Sequence, residues 1–207
     1  MKRPIISALS ADRIAGAPAV DDEPSPSCAA PGSVRPRTIH LVDAENHVFA
    51  FQRKAGVDDV ATWWRLYRNE MVGIGPDDTV YIGVSVKNRW MKKAIPLGRN
   101  VFWAIGHAGP NGAEQALLAS VYPAHAALRY DRVCIVSGDG AFVNFANRCS
   151  ENGMTVQVVS VEGTTHPNLA AAATVHTTLR RVRRSQRACS VAAVQAIHGA
   201  SIAAAVA

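Results

Sequence analysis

The chain has 207 residues, 48% hydrophobic and 18% charged, a balance that suits one packed domain and excludes both a disordered chain and two ordinary domains. Its four cysteines (Cys28, Cys134, Cys149 and Cys189) are scattered with no CxxC pair, which argues against a zinc cluster and a disulfide scaffold and points to a reducing, cytoplasmic compartment. The net charge of +6 is unevenly placed: residues 1–36 balance four bases against four acids, five arginines in 180–187 carry +5, and the rest nets +1.

Residues 1–36 are rich in Ala, Pro, Ser and Asp, with Pro24, Pro26, Pro31 and Pro36 breaking any periodicity, so a disordered leader is expected. Asp12 and Arg13 interrupt its weakly apolar start, and no secretion signal is expected. The pattern changes at Thr38, and the domain is expected over 37–179. Residues 39–42 read as a short buried strand ending at Asp43. Val57, Val60, Ala61, Trp64, Tyr67 and Met71 then recur at helical spacing. A Gly75-Pro76-Asp77-Asp78 turn leads into a second strand over 79–84, followed by a basic stretch with Lys87, Arg89, Lys92 and Lys93. Residues 101–105 form a third strand and 106–112 a glycine-rich turn that lacks both the dinucleotide fingerprint and the P-loop lysine. Ala113, Ala116, Leu117, Val121 and Ala124 stripe the next helix, residues 132–136 make a fourth strand, 141–151 a helix and 155–161 a fifth strand. Pro167 opens a last helix expected to reach about Leu179. Beyond it, 180–207 is a basic, alanine-rich tail whose Gln195, His198 and Gly199 make it a poor membrane span; a weak oligomerisation helix, and so a homo-oligomer, is one reading of it and plain disorder the other.

Strands alternating with helices at this spacing predict an α/β domain with a parallel sheet covered on both faces, whose ligands sit beyond the carboxyl ends of the strands. Asp43 follows the first strand, Asp139 the fourth, and Glu114 lies in the first turn of the helix after the third. All three therefore map to one edge. Carboxylates gathered there repel one another, and a hard cation, magnesium or manganese, would relieve that and could polarise a phosphate. Each also has a local explanation: Asp139 as a helix cap, Glu114 as an acid favoured in a first helical turn, Asp43 as a turn residue.

The blocks HLVDAEN (40–46), GPNGAEQALL (109–118), VSGDGAF (136–142) and GMTVQVVS (153–160) together resemble the NYN domain family, a branch of the PIN-like nucleases, and in particular bacterial members with a GSGDGxF-type fourth block. The resemblance spans about 38–176. It implies a Rossmann-like α/β/α sandwich around a mainly parallel five-stranded sheet, and a metal-dependent ribonuclease acting on RNA, taken as single-stranded. By resemblance, Asp43, Glu114 and Asp139 would hold Mg2+ or Mn2+, with Asn46 and Ser137 in support and Ser137 orienting or contacting phosphate. Many relatives carry further acids where this chain has Ala141 and Ser120. Three carboxylates remain, and a non-catalytic RNA-binding or regulatory module is the alternative.

Among the other features, Arg180, Arg181 and the rest of the arginine run read as phosphate-binding cations or as a solvated linker. Trp63 and Trp90 read as base-stacking platforms or peripheral core residues, and His47 and His107 as incidental loop histidines near the site. A phosphoesterase for small nucleotides is disfavoured, because no DxD follows Asp43.

Overall fold

The computed structural model describes residues 35–96 and 98–180. The chain runs β1 (Thr38–Asp43), α1 (Ala44–Phe51), α2 (Val57–Leu66), β2 (Thr79–Ser85), β3 (Val101–Gly106), α3 (Gly112–Ser120), α4 (Pro123–Ala127), β4 (Arg132–Val136), α5 (Val143–Glu151), β5 (Thr155–Val161), α6 (Pro167–Ala172) and β6 (Val175–Leu179). The strands form one sheet in the order β3-β2-β1-β4-β5-β6, every pair parallel. The α/β class expected from the alternation stands, with six strands in place of five.

The sheet is buried on both faces, which is why TIHLVD in β1 is one unbroken buried run. Odd-numbered residues of β1 (Ile39 and Leu41) face one core with Leu117, Ile135, Phe142, Phe145 and Leu169, under α3 to α6. Val42 faces the other with Trp63, Trp64, Ile82 and Met91, under α1 and α2. His40 points to that second side too, where its Nδ1 lies 2.9 Å from the Tyr67 hydroxyl.

Three expected helices end differently. The helix from Val57 stays α-helical to Leu66 and then makes a π-helical turn, Tyr67–Met71, closed by Val72 N donating to Tyr67 O at 3.2 Å. The stripe from Ala113 breaks after Ser120, because Pro123 disfavours helical backbone in the residue before it and cannot donate to the preceding turn; α4 restarts at Pro123. The helix from Pro167 stops at Ala172, and Val175–Leu179 becomes the sixth strand beside β5. The β-branched VHTTL segment, with Thr177 and Leu179 buried, carried that signal. The basic stretch Val86–Lys93 is 3-10 helical.

Arg35 and Asp78 fasten the other edge of the sheet. Asp78 accepts from Thr38 N and Gly75 N at 2.9 and 2.6 Å, and pairs with Arg35 at 3.1 Å. Among the described residues, no helix is long and apolar enough to cross a membrane.

Candidate active site

The order 3-2-1-4-5-6 places the topological switch between β1 and β4, the point where connections leave to opposite faces and where sheets of this kind leave a crevice beyond the strands' carboxyl ends. Asp43 is the last residue of β1 and Ser137 the first after β4. Both are fully buried.

A chain of hydrogen bonds joins the two strand ends. Asp43 Oδ1 accepts from Asn46 N at 3.0 Å, and Asp43 Oδ2 accepts from the Ser137 hydroxyl at 3.1 Å. Ser137 Oγ in turn accepts from Asp139 N at 3.1 Å, and Asp139 Oδ1 accepts from Ala141 N at 2.8 Å. Asn46 Oδ1 accepts from Gly138 N at 3.3 Å, so the amide side chain also ties α1 to the SGD turn. Asp139 thus caps a helical turn, as its local reading expected; Asp43, read as a turn residue, caps α1 instead, and the same bonds tie the two strand ends together.

Glu114 arrives from above. Gly83 of β2 lies in register with Asp43, and a Cβ on Gly83 would come within 2.5 Å of Leu117 Cδ1 and 3.0 Å of Ala113 O. The missing side chain lets the first turn of α3 rest on the sheet beside the end of β1. The preceding loop is equally tight: a Cβ on Gly106 would be 1.7 Å from Gly112 O, and Asn111 takes a left-handed φ of 58° to enter the helix. Glu114 is consequently half-buried and close enough to Asp43 for the two charges to act on each other.

Those charges are costly. Burial first, then repulsion from Glu114, pushes the Asp43 carboxyl up to about 8 despite the bonds from Asn46 and Ser137. Burial, with added repulsion from Asp139 and Glu45, also raises Glu114. Sequence reasoning missed Glu45, although it lies inside the HLVDAEN block two residues after Asp43. Its Oε1 accepts from Ser85 N at the end of β2, which holds a fourth carboxylate at the same edge. It also missed His166, which has no motif. The loop before α6 folds over the SGD turn: His166 N donates to Gly138 O at 2.8 Å, and a Cβ on Gly140 would meet the His166 ring at 2.8 Å.

The structure therefore brings Asp43, Asn46, Glu114, Ser137 and Asp139 to one crevice. Among the described residues, however, no group of three His, Cys, Asp or Glu side chains is placed to hold a metal ion. Arg180 follows β6, which ends on the same edge two strands from β4, roughly 10 Å at the usual strand spacing. Arg181 and the remaining arginines lie outside the described residues. Lys87, Arg89, Lys92 and Lys93 are exposed on the segment leaving β2 at that edge.

One expectation is corrected. His47 is not in a loop; it lies in α1, fully buried, and its Nδ1 accepts from Trp63 Nε1 at 3.3 Å. Trp63 is fully buried, stacked on Tyr67 at 5.9 Å, and so is core rather than a base platform. Trp90 is half-buried and packs against the same core.

The NYN domain model matches residues 79–180. The match covers just under half of the chain, and over that segment the chain is similar to the NYN domain family. The matched segment contains Glu114, Ser137 and Asp139 and begins after β1, yet β1 is a central strand and carries Asp43. No curated protein matches the chain. Among solved structures, a protein of unknown function from Vibrio parahaemolyticus matches with 17% identity and a TM-score of 0.49, over 72% of this chain and 96% of that one.

Proposed function

We propose that this chain is a metal-dependent ribonuclease that hydrolyses phosphodiester bonds of single-stranded RNA in the crevice between β1 and β4. The observation that carries this reading is the burial of Asp43 against Glu114 at the switch point, a concentration of negative charge that a small oxygen-seeking cation relieves. The donor set fits such an ion. Mg2+ or Mn2+ is commonly bound through one or two carboxylates with several retained waters, and this arrangement needs no closed cage of three acidic side chains. Asp43, Glu114 and Asp139 are the residues that would hold it. When bound, the cation would stabilise charge on the phosphate and lower the pKa of attacking water.

The chain's own residues do the positioning. Ser137 and Asn46 hold the Asp43 carboxylate and dock the SGD turn, so that Asp43 and Asp139 keep a fixed separation. Ser85 N fixes Glu45 close enough to Glu114 for the two charges to act on each other. The exposed bases at 87–93, and the arginines from Arg180 onward, attract the RNA backbone without reading its sequence.

Ala141 and Ser120, where many relatives carry further acids, favour a second reading: an RNA-binding NYN module that has lost turnover. Cleavage of end-labelled single-stranded RNA separates them. Wild type with Mg2+ or Mn2+ should cut, EDTA should stop it, and Asp43→Asn and Asp139→Asn should each lower the rate at least 100-fold while leaving the circular dichroism spectrum unchanged. Equal cutting by both variants would refute the assignment, and binding without cutting under either metal would favour the second reading.

A further inference from the structure

A cavity of about 280 Å³ lies beside the carboxylate crevice, between the end of α3 and the start of α5. Its position is set by the same residues that build the crevice. Leu118 on its wall is one helical turn after Glu114, a separation of about 5–6 Å. Ala141, also in the lining, gives its N–H to Asp139 Oδ1. A strand whose phosphate is held through a cation at Asp139 and Glu114 would find this cavity beside it.

The lining has the chemistry of a nucleotide subsite. Leu118 and Phe145 give it apolar walls, and no carboxylate lines it. Tyr122 is 54% exposed although it is a large aromatic residue held between two helices. The Arg148 guanidinium carbon lies 5.1 Å from the centre of the Tyr122 ring, so the planar cation in the lining is held over the aromatic ring. Asn144, on the first turn of α5, supplies an amide donor and acceptor. An aromatic and guanidinium pair in a lining free of carboxylates suits a base that stacks and a phosphate that pairs, whereas a neutral apolar ligand would not use Arg148. At the small end of ligand-cavity sizes, the space suits one nucleoside rather than a duplex.

We infer that this cavity binds the nucleotide flanking the scissile phosphate of single-stranded RNA, the base stacking at Tyr122 and Arg148 and its phosphate meeting the Arg148 guanidinium. The inference rests on the nuclease reading, because it takes its strand from the crevice. The subsite tolerates any base, since stacking uses a π-face that all bases share. It also disfavours double-stranded RNA, whose bases cannot leave their stack to enter.

The test is binding of fluorescein-labelled 8-mer single-stranded RNA to the full chain in EDTA, read by anisotropy, in parallel with cleavage in Mg2+ or Mn2+. Tyr122→Ala and Arg148→Ala should each weaken single-strand binding roughly 5-fold or more, the loss expected for one stacked base, without changing the melting temperature by more than a degree or two. Arg148→Lys should weaken binding while keeping the salt dependence of the wild type, because it retains the charge and loses the plane. If wild type binds and cleaves but the three variants bind as tightly as wild type, the subsite is refuted and the nuclease reading stands. If wild type binds without cleaving and the variants bind weakly, the subsite stands and catalysis does not. Absence of both binding and cleavage in wild type overturns both.

Discussion

Replacing Asp43 by asparagine should make the metal-free protein more stable, and increasingly so as pH rises. Asp43 moves from 3.8 to about 8 on folding, principally through burial. A carboxyl with a raised folded pKa holds its proton better in the native state, so its contribution is fully present below pH 3.8 and is lost as pH rises to about 8. Each pH unit inside that window removes about 1.4 kcal/mol, and the four units together roughly 5–6 kcal/mol. An asparagine side chain in this place resembles the protonated acid: its amide oxygen still accepts from Asn46 N, and its NH2 can donate to Ser137 Oγ. His47, lowered to about 4 by burial, and His40, also lowered by burial, act in the opposite sense below pH 6.5. They do so equally in both proteins and cancel in the comparison. Urea unfolding in EDTA at pH 5, 6, 7 and 8 should therefore show Asp43→Asn gaining about 3 kcal/mol on wild type between pH 5 and 7, about 6–12 °C in melting temperature for a domain of this size. Added Mg2+ at pH 8 should recover much of the deficit in wild type and little in the variant. Parallel stability curves for the two proteins across this range would refute the account of Asp43 as a buried, charge-strained acid.

Two further outcomes follow from other contacts. Gly83→Ala would place a methyl 2.5 Å from Leu117 Cδ1, lifting α3 and Glu114 from the sheet; about 1–3 kcal/mol of stability should be lost, and Gly83→Ala with Leu117→Ala should cost clearly less than the sum of the two singles in urea titrations, additivity being the failing result. Asp78 is buried, which raises its pKa, but His40, Gly75 N and Thr38 N outweigh burial and bring it down to about 2. A depressed carboxyl contributes stability above pH 3.8 that is lost as pH falls through 2. Asp78→Asn should therefore cost about 2 kcal/mol at pH 7 and close to nothing at pH 2, and a pH-independent loss would contradict the ionic part of that role.

Local residue pattern was enough to place the alternation of strands and helices, the strand ends that carry Asp43 and Asp139, and the helical turn that carries Glu114, because apolar periodicity and turn chemistry act over a few neighbouring residues. It was not enough to show that Pro123 would split one helix, or that VHTTL would leave a helical run to join the sheet, since the second outcome depends on an open edge of β5 supplied elsewhere in the chain. The convergence of Asp43 and Glu114 rests on Gly83, forty residues after Asp43 and thirty-one before Glu114, whose missing side chain brings α3 onto the sheet. Glu45 lies within the HLVDAEN block, yet its place at the site depends on Ser85 N, which holds it, and His166 and the Tyr122–Arg148 pair belong to no motif at all. Such contacts join residues distant along the chain, and they exist only once strand order and close packing have set where each segment lies.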